Sequence, residues 1–125
     1  MKTKLLLVLC SFMLLSMQCD DENDVISQEI LDNKKQEIVN YINSFSCSED
    51  SNCNYIAFGA KPCGGPREYL AFSSNVDVSE LQIMVDQYYT MDNEYNIQTN
   101  AVSDCAVVGP PSNVDCINGV CTIID

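Results

Sequence analysis

Eight cysteines and no histidine in 125 residues constrain this chain more than any other feature. Six of the cysteines, Cys47, Cys53, Cys63, Cys105, Cys116 and Cys121, fall between positions 47 and 121. A structural zinc site needs closely spaced cysteine pairs or histidine ligands. The closest pair here has four residues between its members, and histidine is absent. An even set of cysteines in a short exported chain reads instead as three disulfides, for which 15 pairings exist. One pairing has a local argument. Asn118-Gly119 marks a type I′ hairpin turn, which sets Cys116 opposite Cys121 at a closely spaced pair. A Cys116–Cys121 bridge is therefore expected.

The first 24 residues supply the compartment. Lys2 and Lys4 precede an apolar run from Leu5 to Leu15, followed by Ser16-Met17-Gln18, Cys19 and the acidic stretch Asp20-Asp21-Glu22-Asn23-Asp24. The run has eleven residues, whereas a bilayer-spanning helix needs about 20. A positive head and a short apolar run read as a cleaved export signal. The residues before Cys19 do not follow the Ala-x-Ala pattern of ordinary secretory cleavage. In these 24 residues the chain resembles bacterial lipoproteins of the Bacteroidota type. The resemblance implies a signal peptide over 1–18, lipidation of Cys19, an acidic tether over 19–24 and attachment to the outer membrane. It also implies display at the cell surface, with a periplasm-facing anchor as the alternative. Two or three acyl chains hold a protein firmly, since each buried methylene contributes about 0.8 kcal/mol.

Cleavage after residue 18 leaves a stretch the size of one domain, residues 25–125 after the tether. Eighteen acids then face four basic residues, Lys34, Lys35, Lys61 and Arg67, a formal charge of −14. Nucleic acid is excluded as a partner, because phosphate binding needs clustered Lys and Arg. Such a charge suits a self-repelling surface module or a cationic partner.

Along the chain, Val25 to Phe45 has helical periodicity, with Ile26, Ile30, Ile38, Tyr41, Ile42 and Phe45 on one face and Asp24 as N-cap. Ser46 to Asn54 is a polar loop whose oxygens lack the spacing of a calcium loop. Tyr55 to Phe58 reads as a buried strand and Tyr69 to Ser73 as its antiparallel partner. Between them, Gly59 to Pro66 turns the chain, with Cys63 at the tip. Val76 to Asn96 forms the second helix, with Asp77 as N-cap, a capping box to Glu80 and a Val76–Leu81 staple. Leu81, Met84, Val85, Tyr88 and Tyr95 line its buried face. Ser103 to Val108 reads as a third strand, Gly109 to Asn113 as a rigid loop and Asp115 to Ile124 as a hairpin. The architecture expected is α+β: two amphipathic helices packed on a small antiparallel sheet, stabilised by disulfides.

Without histidine, Ser-His and Cys-His nucleophiles cannot be built. None of Lys34, Lys35 or Lys61 has a serine three residues before it. The reading is therefore a non-catalytic, membrane-anchored binding module for a protein or glycan, with no cofactor and no metal. Its expected contact surface is two rigid loops, Lys61, Pro62, Gly64, Gly65 and Pro66, and Gly109, Pro110, Pro111, Ser112 and Asn113. The alternative is a secreted-type protease inhibitor that uses the same disulfide-braced loops. A small carboxylate-dependent hydrolase ranks third.

Overall fold

The computed structural model describes residues 25–124. The expected signal peptide, Cys19, the acidic tether and the expected N-cap Asp24 lie outside the described residues. Helix α1 (Gln28–Asn43) is capped by Ser27, whose Oγ accepts from the Ile30 N–H at 3.3 Å. The expected span over 25–45 is therefore trimmed at both ends. The expected face is also corrected. Ile30 is 41% exposed and Leu31 only 1%. The buried line runs Leu31, Ile38, Ile42, in steps of seven and four, with Lys35 and Phe45 only partly covered on the same side, and Ile30 sits one residue, about 100°, off that line.

Strands β1 (Cys53–Phe58) and β2 (Glu68–Ser73) form an antiparallel pair with Ile56 opposite Leu70 and Phe58 opposite Glu68. β1 was expected to be a buried strand, but Tyr55 and Ala57 are exposed and only Phe58 is fully covered. Alternation explains this: Ile56, Phe58, Leu70 and Phe72 face the helices, while Tyr55 and Tyr69 meet edge-on across the opposite face.

Helix α2 (Val78–Thr99) begins as expected at Asp77, whose carboxylate accepts from the N–H groups of Ser79 and Glu80. The capping box does not close, because Glu80 accepts from the Tyr41 hydroxyl of α1 instead. The helix also runs three residues beyond Asn96. It stops where Asn100 turns left-handed at φ 49° and the Ala101 N–H reaches back to the Asn96 carbonyl. Val76, Leu81, Val85 and Tyr88 join Leu31, Ile38, Ile42, Phe58 and Phe72 in one core. Tyr88 stacks on Phe58 with ring centroids 4.2 Å apart.

The strand expected at Ser103–Val108 does not form. Cys105 adopts φ 54°, and the Asp104 carboxylate accepts from the Ala106 N–H, so the backbone turns where a strand must stay extended. The hairpin does form, from β3 (Asn113–Ile117) and β4 (Val120–Ile124), around Asn118 (φ 52°) and Gly119 (φ 82°). It makes a second two-stranded sheet rather than extending the first. The whole is an α+β fold with two helices, two small antiparallel sheets and three disulfides.

The bridges are Cys47–Cys116, Cys53–Cys121 and Cys63–Cys105. Cys116 and Cys121 do face each other in the ladder, yet each bonds a different partner, which overturns the expected Cys116–Cys121 bridge. A bridge across the turn would join residues the turn already holds together. Those observed span 69 and 68 residues and so constrain the unfolded chain far more. Two hydrogen bonds dock the hairpin in the same orientation, Cys47 N–H to the Gly119 carbonyl at 3.0 Å and Cys116 N–H to the Asp50 carboxylate at 2.8 Å.

Urea denaturation should separate the two sides of α2. Leu81→Ala, at a position with no exposure, is expected to lose about 3–5 kcal/mol. Ile83→Ala, on the solvent side, should stay within about 0.5 kcal/mol of the parent.

Candidate functional site

The buried line of α2 does not end with apolar residues. Leu81, Val85 and Tyr88 are followed at the same spacing by Asp92 and Asn96, both buried. An isolated carboxylate there would be prohibitive, and Arg67 answers it. The guanidinium donates through Nε to Asp92 Oδ2 at 2.8 Å and through Nη2 to Oδ1 at 3.0 Å. Nη2 also donates to Asn96 Oδ1 at 2.7 Å. The Ala60 N–H donates to Asp92 at 2.7 Å, and Asn96 Nδ2 donates back to the Ala60 carbonyl at 2.8 Å. Both ends of the β1–β2 loop are thereby fastened to α2. Gly59 is required at this closure: it sits at φ 79°, and a Cβ would lie 3.1 Å from the Arg67 side chain.

The loop beyond this clamp is the first of the two expected contact segments. The Lys61 N–H donates to the Gly65 carbonyl at 2.9 Å, and the Gly64 N–H to the Lys61 carbonyl at 2.8 Å. Cys63 is bridged to Cys105. Lys61, expected among the displayed residues, turns inward and keeps only 12% side-chain exposure. Its ammonium donates to Asp104 at 2.8 Å and to the Ala106 carbonyl at 2.6 Å. Pro62 is half-buried, whereas Gly64 and Gly65 stand in open solvent at φ 95° and 81°. Pro66 flanks a groove of about 290 Å³ whose far wall is Gln82, Asp86 and Tyr89 of α2.

The second expected segment lines a different cleft from the groove that Gly65 and Pro66 border. Gly109 and Pro111 border a cleft of about 310 Å³ with Arg67, Tyr69 and Ile123. Pro110 and Ser112 are exposed. Asn113 belongs to β3 rather than the loop, and its side chain donates to Asp115. The Cys63–Cys105 bridge and the Lys61–Asp104 pair tie the first segment to the stretch 104–106, which precedes the second.

Two titrating groups follow from this geometry. The Lys61 ammonium, with the Ala106 N–H, holds the Asp104 carboxyl below its ordinary 3.8. Burial, reinforced by Asp92, pushes the Tyr88 phenol up to about 12. Among the described residues the one convergent set of metal-binding types is Cys47, Cys53 and Cys121, whose sulfurs are taken up in bridges. Asp50 in the polar Ser46–Asn54 loop is committed to Cys116.

Reasoning from the sequence did not find Arg67, Asp92 or Asn96. The signals were there: Arg67 is the only arginine in the chain, and Asp92 and Asn96 extend the Leu81–Val85–Tyr88 line at steps of four. No helix among the described residues is long and apolar enough to cross a membrane. No protein-family model, curated protein or solved structure matches the chain.

Asp92→Ala is expected to lose about 3–5 kcal/mol in chemical denaturation, because Arg67 loses its partner. Asp92→Leu combined with Arg67→Met should recover part of that loss. For Asp104 the depressed carboxyl gives the sign. Its contribution to folding is complete above its unfolded value near 3.8 and disappears as pH falls through the lower folded value. An NMR titration should place its midpoint below 3.8, and Lys61→Met should move it back up.

Proposed function

We propose that this chain is a non-catalytic lipoprotein, anchored in the outer membrane through Cys19, that binds a protein or glycan partner at the cell surface. The observation that carries the reading is the Gly64–Gly65 tip. It is exposed and left-handed, yet braced by the Cys63–Cys105 bridge, the Lys61–Asp104 pair and the Arg67–Asp92 clamp. A loop held in this way loses little conformational freedom on binding. The exposed tip and the neighbouring Pro66–Tyr89 groove supply the contact.

Two further observations support the same reading. Every basic side chain among the described residues is already in an ion pair: Lys34 with Glu37, Lys35 with Glu68, Lys61 with Asp104 and Arg67 with Asp92. That leaves no basic patch for a polyanion. The buried carboxylate, Asp92, has its oxygens filled by Arg67 and the Ala60 N–H, which suits a structural rather than a proton-transferring role. Three disulfides fit an oxidising, extracytoplasmic setting.

The intact mass of the membrane-extracted protein tests the anchor and the bridges together. The expected mass starts at Cys19, includes diacylglycerol and lacks six hydrogens. An unprocessed, fully reduced chain would overturn the reading. For binding, the immobilised protein should capture a ligand from a glycan array or a panel of extracellular proteins. Capture should fall at least tenfold when Cys63 and Cys105 are both replaced by alanine, because the tip loses its preorganisation.

A further inference from the structure

Arg67 has a second face. Its Nε and Nη2 are filled by Asp92 and Asn96, but its two Nη1 hydrogens have no acceptor among the described residues, and the side chain is 40% exposed. It borders a cleft of about 380 Å³ between α1 and α2, which Lys35, Glu68, Tyr88 and Asp32 also line. This cleft lies on a different side of α2 from the Pro66–Tyr89 groove. Its volume falls in the range of small-molecule sites.

Tyr88 is the second observation. Only 6% of it is exposed, and its hydroxyl has no hydrogen-bond partner among the described residues. With the phenol held protonated far above neutrality, it offers a donor to whatever enters the cleft. Tyr95, also on the lining, brings another hydroxyl with no partner among the described residues. Two of the four basic residues among the described residues, Lys35 and Arg67, converge here. Lys35 does so from a half-exposed position on α1.

We propose that this cleft binds a small zwitterion carrying a carboxylate and an ammonium group, a free α-amino acid being the simplest. The carboxylate lies against Arg67 Nη1 and the Tyr88 hydroxyl, a charge-assisted arrangement on a guanidinium already oriented by Asp92. The ammonium lies against Asp32 and Glu68. Each of these carboxylates has one oxygen engaged, by Gln28 and by Lys35 respectively, and the other without a partner among the described residues. Counting Asp92, the cleft holds three acids and two bases. That balance disfavours a dianion, and the two bases disfavour a simple cation. This binding is separate from the partner contact at the loop face, and neither reading depends on the other.

Amide chemical shifts of the isotopically labelled full chain test the proposal. The probes are pooled proteinogenic amino acids, with succinate and ethanolamine as comparisons that lack one of the two charges. The expected result is a saturable shift of the Tyr88, Asn96 and Ala101 amides with at least one amino acid and with neither comparison. Tyr88→Phe, which keeps the ring stacked on Phe58, should weaken that binding about tenfold or more. Its unfolding temperature without ligand should stay close to that of the parent. The proposal fails if no amino acid shifts these amides at about 10 mM, if succinate or ethanolamine does so equally, or if Tyr88→Phe leaves the affinity unchanged. Failure on any of these counts leaves the loop-face reading intact, because that reading is tested by macromolecular capture.

Discussion

The contact between Arg67 and Asp92 holds the β1–β2 loop, helix α2 and the cleft beside α1 in one arrangement. Asp92 keeps only 3% side-chain exposure, so its charge is tolerable only because the guanidinium and the Ala60 N–H surround it. Such pairs contribute little net stability compared with an apolar replacement, but breaking one is costly. Their value lies in geometry. The bidentate pair fixes the distance and angle between the loop and α2, which apolar packing alone would leave adjustable.

Asn96 doubles the clamp by exchanging hydrogen bonds with both Arg67 and the Ala60 carbonyl. Gly59 permits it, since any side chain there would collide with the stem of Arg67. The clamp and the core are continuous: the α2 line that buries Leu81, Val85 and Tyr88 against Phe58 carries on into Asp92 and Asn96. A core of this size is modest for about 100 residues, and the bridges compensate in different places. Cys47–Cys116 and Cys53–Cys121 staple the β3–β4 hairpin to the body. Cys63–Cys105 ties the loop tip to a segment with no regular structure of its own.

The local grammar of the chain was legible. Asp77 caps α2, Asn118-Gly119 turns the final hairpin, and the two helices, the β1–β2 pair and the α+β class all follow from periodicity and turn chemistry. The misreadings share a cause. Ile30 and Leu31 are adjacent and equally apolar, so only the phase of the helix against the sheet decides which is buried. Glu80 had a local partner in the capping box and a distant one in Tyr41, and the distant one won. Ser103–Val108 has the composition of a strand, but Asp104 and Cys105 turn it instead. The residues of the candidate site were partly visible. Lys61, Gly64, Gly65, Pro66 and Pro111 could be named from turn chemistry, whereas Arg67, Asp92 and Asn96 could not, since each makes sense only beside the others.

Taken alone, the sequence determined a strongly acidic composition, six cysteines suited to bridging and a set of helices and turns encoded by near neighbours. Those properties depend on residues a few positions apart, and so they can be read in order. The tertiary structure alone decided which cysteines meet. The sulfurs of Cys47, Cys53 and Cys121 all lie within 4.8 Å of one another, so the pairing depends on how the hairpin docks rather than on spacing along the chain. It also decided that a lone arginine and a buried aspartate, separated by 25 residues, would become the centre of the fold. The reason is physical: a buried charge is tolerated only where its partner arrives, and that arrival is a property of the packed chain.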